Sequence, residues 1–108
     1  MSDEEQLVIM QLIMDGGNAK SSSFEAIQAA KKGAFDQAQA KLKEADSFLA
    51  KAHNAQTDLL TTEAQGQHTQ VSLLMVHGQD HVMNAITFRD LAGELVSVYQ
   101  RLDNNSAK

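Results

Sequence analysis

Hydrophobic residues recur at helical spacing in three long segments of this chain, which are separated by two short breaks that each contain a glycine. In the first segment, Asp3 to Lys32, apolar residues lie three or four positions apart, as one face of a helix requires. Ser2 or Asp3 can cap its start, and Lys31-Lys32-Gly33 is typical of a helix end. Gly16-Gly17 weakens the middle, so two shorter helices are possible. The resumption of the spacing afterwards favours one helix, bent near these glycines.

The second segment begins near Ala34 to Asp36 and carries a heptad seam, in which steps of three and four alternate through eight positions. One seam residue is polar, Gln56, and it can set the register of the helix. The polar stretch Thr61 to His68 contains Gly66 and predicts a loop, with His68 as an ordinary exposed histidine. The seam residues are Phe35, Ala38, Leu42, Ala45, Leu49, Ala52, Gln56 and Leu59.

The third segment predicts a helix from about Thr69 to Leu102, followed by a frayed polar tail over 103–108. Its predicted seam is Leu74, Gly78, His81, Ala85, Phe88, Ala92, Leu95, Tyr99 and Leu102. Many further apolar residues lie outside that seam, so this helix is apolar on more than one face and has to be buried on more than one face. Two companion helices cannot surround it. The pattern therefore predicts an oligomer.

The composition agrees with an all-α protein. The chain has 108 residues, 43% of them hydrophobic but only 5% aromatic, and it contains no proline. It lacks the aromatic and β-branched residues and the turn signals that sheets use. Short connections make neighbouring helices antiparallel, so we expect a single domain over residues 1–108, folded as an up-down-up three-helix bundle.

The charge pattern excludes several classes of function. The net charge is −5, from 14 acidic and 9 basic residues, with no basic stripe for nucleic acid. The acidic start Met-Ser-Asp-Glu-Glu is the opposite of a signal peptide, and no apolar run reaches the about 18 residues of a membrane span. There is no cysteine for disulfide or thiol chemistry. We therefore expect a cytoplasmic protein without direct membrane insertion.

The apolar stretch from Val71 to Ile86 contains three ionisable residues, His77, Asp80 and His81. Spacings of three and four place them on one side of a helix, so we expect one cluster. A lone histidine on an apolar face is usually a hydrogen-bonded core residue. Burying an ionised group costs on the order of several kcal/mol of desolvation. Three such groups in one cluster would therefore be costly without a role, and this favours a functional role.

Two kinds of chemistry fit the cluster. The first is zinc binding, because two histidines four residues apart resemble half of a helical zinc site. Gly78 stands where a zinc protease of this type has its glutamate, and a third ligand would have to come from elsewhere, with His53 and Glu63 as candidates. This reading predicts a helical metal-binding interaction module.

The second is phosphoryl transfer through histidine. A neutral imidazole at His77 can attack a phosphoryl group, and His81, one turn on, can hydrogen-bond the phosphoryl oxygens. Gly78 would give the backbone of a donor protein close access. The sequence has no glycine-rich phosphate loop, so the group would have to come from another phosphoprotein rather than from ATP.

The run Val71-Ser-Leu-Leu-Met-Val-His-Gly-Gln-Asp-His-Val-Met83 closely resembles the motif of the lactose/cellobiose-type enzyme IIA components of the bacterial sugar phosphotransferase system. The family pattern is roughly Leu-(Val/Met)-His-Ala-Gln-Asp-His-Leu-Met, from which Gly78 and Val82 depart. The resemblance covers nearly the whole chain. Supporting blocks are Gly17-Asn-Ala-Lys-Ser21, Lys32-Gly-Ala-Phe35 and Ala52-His-Asn-Ala-Gln-Thr-Asp-Leu59.

The resemblance implies a homotrimer of antiparallel three-helix units that acts as a phosphotransferase component. His77 would accept a phosphoryl group from the phosphocarrier protein HPr and pass it to a cysteine of a IIB component, which phosphorylates a disaccharide entering through IIC. Asp80 would meet its symmetry copies around a divalent metal ion such as Mg²⁺, one per trimer, and His81 would assist His77. The resemblance assigns no defined role to His53 or Gln56, and it leaves open whether the sugar is lactose, cellobiose or chitobiose.

Overall fold

The computed structural model describes residues 2–106, which form three long helices and, over that range, no strand. Helix α1 spans Asp3–Lys31, α2 spans Phe35–Ala64 and α3 spans Leu73–Ser106. The bundle measures 60 × 21 × 19 Å, which leaves room for helices packed side by side. This confirms the predicted all-α, up-down-up three-helix bundle. None of these helices is long and apolar enough to cross a membrane.

Helix α1 continues without a break through Gly16-Gly17. This confirms the prediction of one helix rather than two shorter ones. The Ser2 hydroxyl accepts a hydrogen bond from the Glu5 N–H at 3.1 Å, and three acidic residues follow in the first turn, where the helix dipole favours negative charge. At the other end Gly33 has a φ of +79°, the left-handed conformation that allows the chain to turn into α2.

The predicted bounds around the second loop are wrong. Thr61 to Ala64 is the last turn of α2, and α3 begins at Leu73 rather than Thr69. The Glu63 carboxylate accepts hydrogen bonds from the Thr69 N–H and the His68 ring, which holds both residues outside the helix. The Ser72 hydroxyl accepts from the Met75 N–H at 3.1 Å and so caps α3.

The predicted tail is wrong for residues 103–106, which continue α3 as far as Ser106. The sequence after Leu102 contains neither the glycine nor the proline that commonly ends a helix. Residues 107 and 108 of the predicted tail lie outside the described residues.

The core lies along α1, which packs against both other helices, whereas α2 and α3 contact each other more sparsely. Much of it is built from alanine, which allows close approach of the helices. The fully buried larger side chains are Ile9, Leu12, Val82 and Val96 together with Ser23. Arg89 on α3 bridges to Asp46 on α2, with Nε 2.6 Å from Oδ1 and Nη2 3.0 Å from Oδ2.

The predicted seam of α3 is half right. Gly78, Ala85 and Ala92 are buried as expected. At three other places the buried residue is the next one along the chain: Met75 rather than Leu74, Val82 rather than His81, and Val96 rather than Leu95. Both series alternate steps of three and four, so the spacing alone did not distinguish them. The other half of the prediction is confirmed: the single chain leaves a broad apolar face of α3 exposed, formed by Leu73, Val76, Met83, Leu91, Leu95, Val98 and Leu102.

Candidate functional site

His77 and His81 lie one turn apart near the start of α3. Their ring centroids are 4.5 Å apart and the ring planes are tilted by 48°. His77 is exposed, whereas His81 is half-buried at the edge of the contact with α1. The two rings form the predicted pair. In the single chain both His77 and Asp80 are open to solvent.

Asp80 is exposed on α3, outside the buried part of the contact with α1. Its Oδ1 accepts a hydrogen bond from the Asn84 amide at 2.9 Å. Val76, Asp80 and Met83 follow one another at steps of four and three, so Asp80 shares a face with exposed apolar residues. The carboxylate therefore stands within the broad apolar face of α3 that the single chain leaves uncovered.

Gly78 does not serve the purpose expected of it. It is buried against α1, where a Cβ would lie 3.1 Å from Cγ2 of Ile9 and 3.5 Å from its carbonyl oxygen. The expectation that Gly78 gives the backbone of a donor protein close access is therefore wrong for the single chain. The glycine instead allows α3 to approach α1 closely beside His77.

Gly16 makes a second close approach, about one turn further along α3 and two turns further along α1. A Cβ on Gly16 would lie 3.2 Å from both the carbonyl carbon and the carbonyl oxygen of His81. The backbone of α1 thus lies directly against that of α3 beneath the half-buried histidine. Gly17, the next residue, has open space around its Cβ position. Gly16 therefore permits the close contact between the helices, whereas Gly17 takes no part in it.

A pocket of about 180 Å³ opens between α1 and α3 beside His81, and it is lined by Gly16, Gly17, Lys20, Asp80, His81 and Asn84. Neither Lys20 nor Asn84 is among the predicted site residues, although Lys20 belongs to the block Gly17-Asn-Ala-Lys-Ser21 quoted above. The available signal was their spacing: Lys20 follows Gly16 by one turn, and Asn84 follows Asp80 by one turn.

Gln56 connects α2 to the site. Its amide nitrogen donates a hydrogen bond to the Gln79 side-chain oxygen at 2.6 Å and lies 3.8 Å from the Met83 sulfur. Gln79 stands between His77 and His81 in sequence, so the polar residue of the α2 seam fixes a side chain of the site turn. This is a cross-helix contact of the kind by which a buried polar residue sets register.

The zinc ligand set considered above is not brought together in the single chain. No three His, Cys, Asp or Glu side chains among residues 2–106 are grouped so that they could hold a metal ion. Glu63 is bonded to His68 instead, at 2.8 Å. The hydrogen bond from His68, together with that from the Thr69 N–H, holds the pKa of Glu63 below its ordinary value of 4.5.

The three-helix fold and the paired histidines define a class of helical proteins that have a histidine site near the start of the last helix. Residues 7–100 match the model of the PTS system lactose/cellobiose-specific IIA subunit. The chain therefore belongs to this family of sugar-specific IIA components of the phosphotransferase system. This establishes its general role as a phosphotransferase component.

Two relatives show how closely the chain follows the family. It is 55% identical to the PTS system cellobiose-specific EIIA component of Lactococcus lactis over 101 residues, 94% of this chain and 87% of the relative. It is 47% identical to the lichenan-specific phosphotransferase enzyme IIA component of Bacillus subtilis over 102 residues, which cover 94% and 93% of the two chains.

Solved structures give the same result. The PTS cellobiose-specific enzyme IIA from Bacillus anthracis superimposes with a TM-score of 0.92 at 41% identity, covering 96% of this chain and 94% of that one. The IIA(chitobiose)–HPr complex of the N,N'-diacetylchitobiose branch of the Escherichia coli phosphotransferase system matches with a TM-score of 0.81 at 34% identity, covering 94% and 99%.

Proposed function

We propose that this chain is a cytoplasmic phosphocarrier in which His77 receives a phosphoryl group from HPr and passes it to a IIB component. The observation that supports this most directly is the exposed His77 imidazole with a second imidazole, His81, at a centroid distance of 4.5 Å. The solved complex of a chitobiose IIA protein with HPr shows that a protein of this fold meets that partner.

The first transfer exchanges one nitrogen–phosphorus bond for another. An unprotonated ring nitrogen of His77 attacks phosphorus while the bond to the histidine of HPr breaks, and the HPr imidazole leaves with the bonding electron pair. An N–H of His81 donates to a phosphoryl oxygen. Because His77 is exposed on a convex helix rather than in a cleft, a protein donor can reach it.

The second transfer uses the same side chain. The thiolate of a IIB cysteine attacks phosphorus, a sulfur–phosphorus bond forms, and the bond to His77 breaks, which returns the imidazole to its starting state. The sugar then receives the group outside this chain. Relatives of this chain are named for lichenan, cellobiose, galactose and lactose, so the proposal covers a sugar of this group without naming one of them.

Three copies of the chain form the active assembly. The exposed apolar face of α3 is continuous over its length, from Leu73 at 86% exposure to Leu102 at 56%. A contiguous surface of this kind marks an interface with another protein, and a second and third copy of the same helix can cover it. The trimer would bury α3 on the sides that α1 and α2 leave open.

Asp80 fits a metal ion at the axis of this trimer. One chain offers a single carboxylate there, and three copies would bring together oxygen ligands of the kind that a hard divalent cation such as Mg²⁺ prefers. The ion would offset the repulsion between the carboxylates. One metal per three chains, lost in Asp80→Ala, is expected. Stoichiometric zinc that is lost in His77→Ala or His81→Ala would support the metal-binding module instead.

Intact-mass measurement tests the proposed transfer. After incubation with enzyme I, HPr and phosphoenolpyruvate, the wild type should gain one acid-labile phosphoryl group per chain. His77→Ala should gain none, and His53→Ala, which alters an exposed histidine on α2, should behave as the wild type. A wild type that remains unmodified while HPr is phosphorylated would refute the proposal.

A further inference from the structure

The buried layer of Ala19, Ala45 and Ala85 divides the bundle into two ends of different charge. We call the residues on one side of it, 2–18 and 46–84, the histidine end, because all four histidines of the chain lie there. The histidine end holds eight of the 14 acidic residues but only one of the nine lysines and arginines. The negative charge of the chain is therefore concentrated around the proposed phosphoryl site.

The two ends are far enough apart to act separately. The bundle is 60 Å long, whereas at 0.1 M salt the field of an exposed charge is largely screened beyond about 10 Å. The basic residues of the other end therefore do not neutralise the histidine end. A partner with a positive surface is attracted to the histidine end, and a nucleic acid or an anionic membrane is repelled.

A groove opens at the histidine end between the start of α1 and the end of α2, with a volume of about 520 Å³. Its lining combines apolar side chains with carboxylates, and no lysine or arginine is among the described residues that line it. The apolar residues are Val8, Ala55 and Leu59, and the acidic ones are Glu4, Glu5 and Asp58. A segment complementary to this groove carries an apolar side chain beside a lysine or an arginine.

The groove lies at the same level of the bundle as His77. Val8, in the groove, precedes Ile9, and the Ile9 side chain packs against Gly78, the residue after His77. A protein interface of standard size covers about 800 Å² on each partner. One face of a partner that brings its reactive residue to His77 can therefore also reach the groove.

We propose that this groove is a docking site for the phosphoryl donor, which places a basic residue and a neighbouring apolar side chain in it. The groove attracts and orients the donor, whereas His77 and His81 take part in the transfer. This proposal rests on the proposed function, because it names the place where the donor of that reaction binds.

Two triple variants remove the same amount of charge from different ends. The groove variant is Glu4→Gln/Glu5→Gln/Asp58→Asn. The control variant changes three exposed residues of the other end and is Asp36→Asn/Asp90→Asn/Glu94→Gln. Each variant includes the first turn of one helix, and none of the six carboxylates lies within 4.0 Å of a basic nitrogen of residues 2–106. The variants therefore differ in the place of the lost charge.

Rapid-quench transfer from phospho-HPr, followed by intact mass at low salt, gives the maximal rate constant and the half-saturating concentration of phospho-HPr. We expect the groove variant to raise the half-saturating concentration about tenfold and to leave the maximal rate constant unchanged, because docking precedes the chemical step. The control variant should match the wild type. Asp58→Asn alone, which leaves the first turn of α1 intact, should raise the half-saturating concentration about twofold.

The effect of the groove variant should disappear as salt rises, because salt screens exposed charges. Equal half-saturating concentrations for the two triple variants would overturn the proposal, as would a change in the maximal rate constant alone. If the groove variant loses the circular dichroism spectrum of a helical protein, the comparison of Asp58→Asn with Asp90→Asn decides in the same way. A wild type that takes no phosphoryl group would refute the proposed function, and this proposal with it.

Discussion

Gly16 of α1 lies against the backbone carbonyl of His81 in α3, so that a Cβ on this glycine would lie 3.2 Å from the carbonyl carbon and oxygen. The neighbour is backbone and cannot rotate away. The half-buried histidine of the site is therefore placed by a contact that only glycine permits without moving a helix. The paired glycines of α1 allow this to be measured at adjacent positions.

Gly16→Ala should destabilise the protein, whereas Gly17→Ala should stabilise it. Alanine improves helix propensity by about 1 kcal/mol at either position. At Gly16 the added methyl pushes two helices apart, an overpacking that costs about 1–3 kcal/mol, whereas Gly17 has no atom within 4 Å of its Cβ position. Urea denaturation at one protein concentration gives both free energies of unfolding. Equal shifts for the two variants would show that the close approach is absent.

Gly78→Ala introduces the residue that the family pattern has at this position. The added methyl lies 3.1 Å from Cγ2 of Ile9, a buried side chain that has little room to move. We expect the gain in propensity and the crowding to cancel within about 1 kcal/mol.

Ile9→Leu supplies the matching change, since leucine lacks the branch at Cβ. In the glycine background this substitution should cost stability, and in the Gly78→Ala background it should cost less. A double-mutant cycle of unfolding free energies measures that coupling. Strict additivity of the two substitutions would contradict direct contact between residues 9 and 78.

Glu63 should titrate below the ordinary glutamate value of 4.5, because the His68 hydrogen bond favours the carboxylate. The pKa is lowered on folding, so the resulting stabilisation is present above the unfolded value and is lost as the pH falls through the folded one. Carboxyl-carbon NMR of Glu63 against pH measures the midpoint. In His68→Ala the midpoint should rise toward 4.5, and an unchanged midpoint would exclude this hydrogen bond as the cause.

If the proposed trimer forms, Asp80→Leu should retain or strengthen it. The substitution would remove the three carboxylates that the proposal brings to the axis, and it adds apolar area to a face that is already apolar. Sedimentation velocity distinguishes trimer from monomer, and Asp58→Leu on α2 serves as an exposed control. If Asp80→Leu sediments as a monomer while the control does not, Asp80 is not at the axis.

The sequence was sufficient for the three helices and the histidine pair, since long periodic segments and a four-residue spacing leave few alternatives. It did not locate the helix ends near Glu63 and Ser72, because there side-chain hydrogen bonds decide where the backbone leaves the helix. It misplaced Gly78, because a glycine beside a reactive residue can face either a partner or a neighbouring helix. Spacing within one helix contains no information about the position of α1.

Lys20 illustrates a different limit. In the sequence it belongs to the block Gly17-Asn-Ala-Lys-Ser21, which carries no indication of its neighbours, and only the packing of α1 on α3 brings it beside His81. The expected place of Asp80 among its symmetry copies requires exposure in the single chain, and Asp80 is exposed there beside apolar residues that point away from the core.

The contacts that place the histidine pair join residues more than 60 positions apart in sequence: Ile9 with Gly78, and Gly16 with His81. During synthesis α1 and α2 can pair as a local hairpin, whereas α3 docks only after the end of the chain has emerged. The two close approaches beside the histidine pair therefore form only when the last helix docks onto the first.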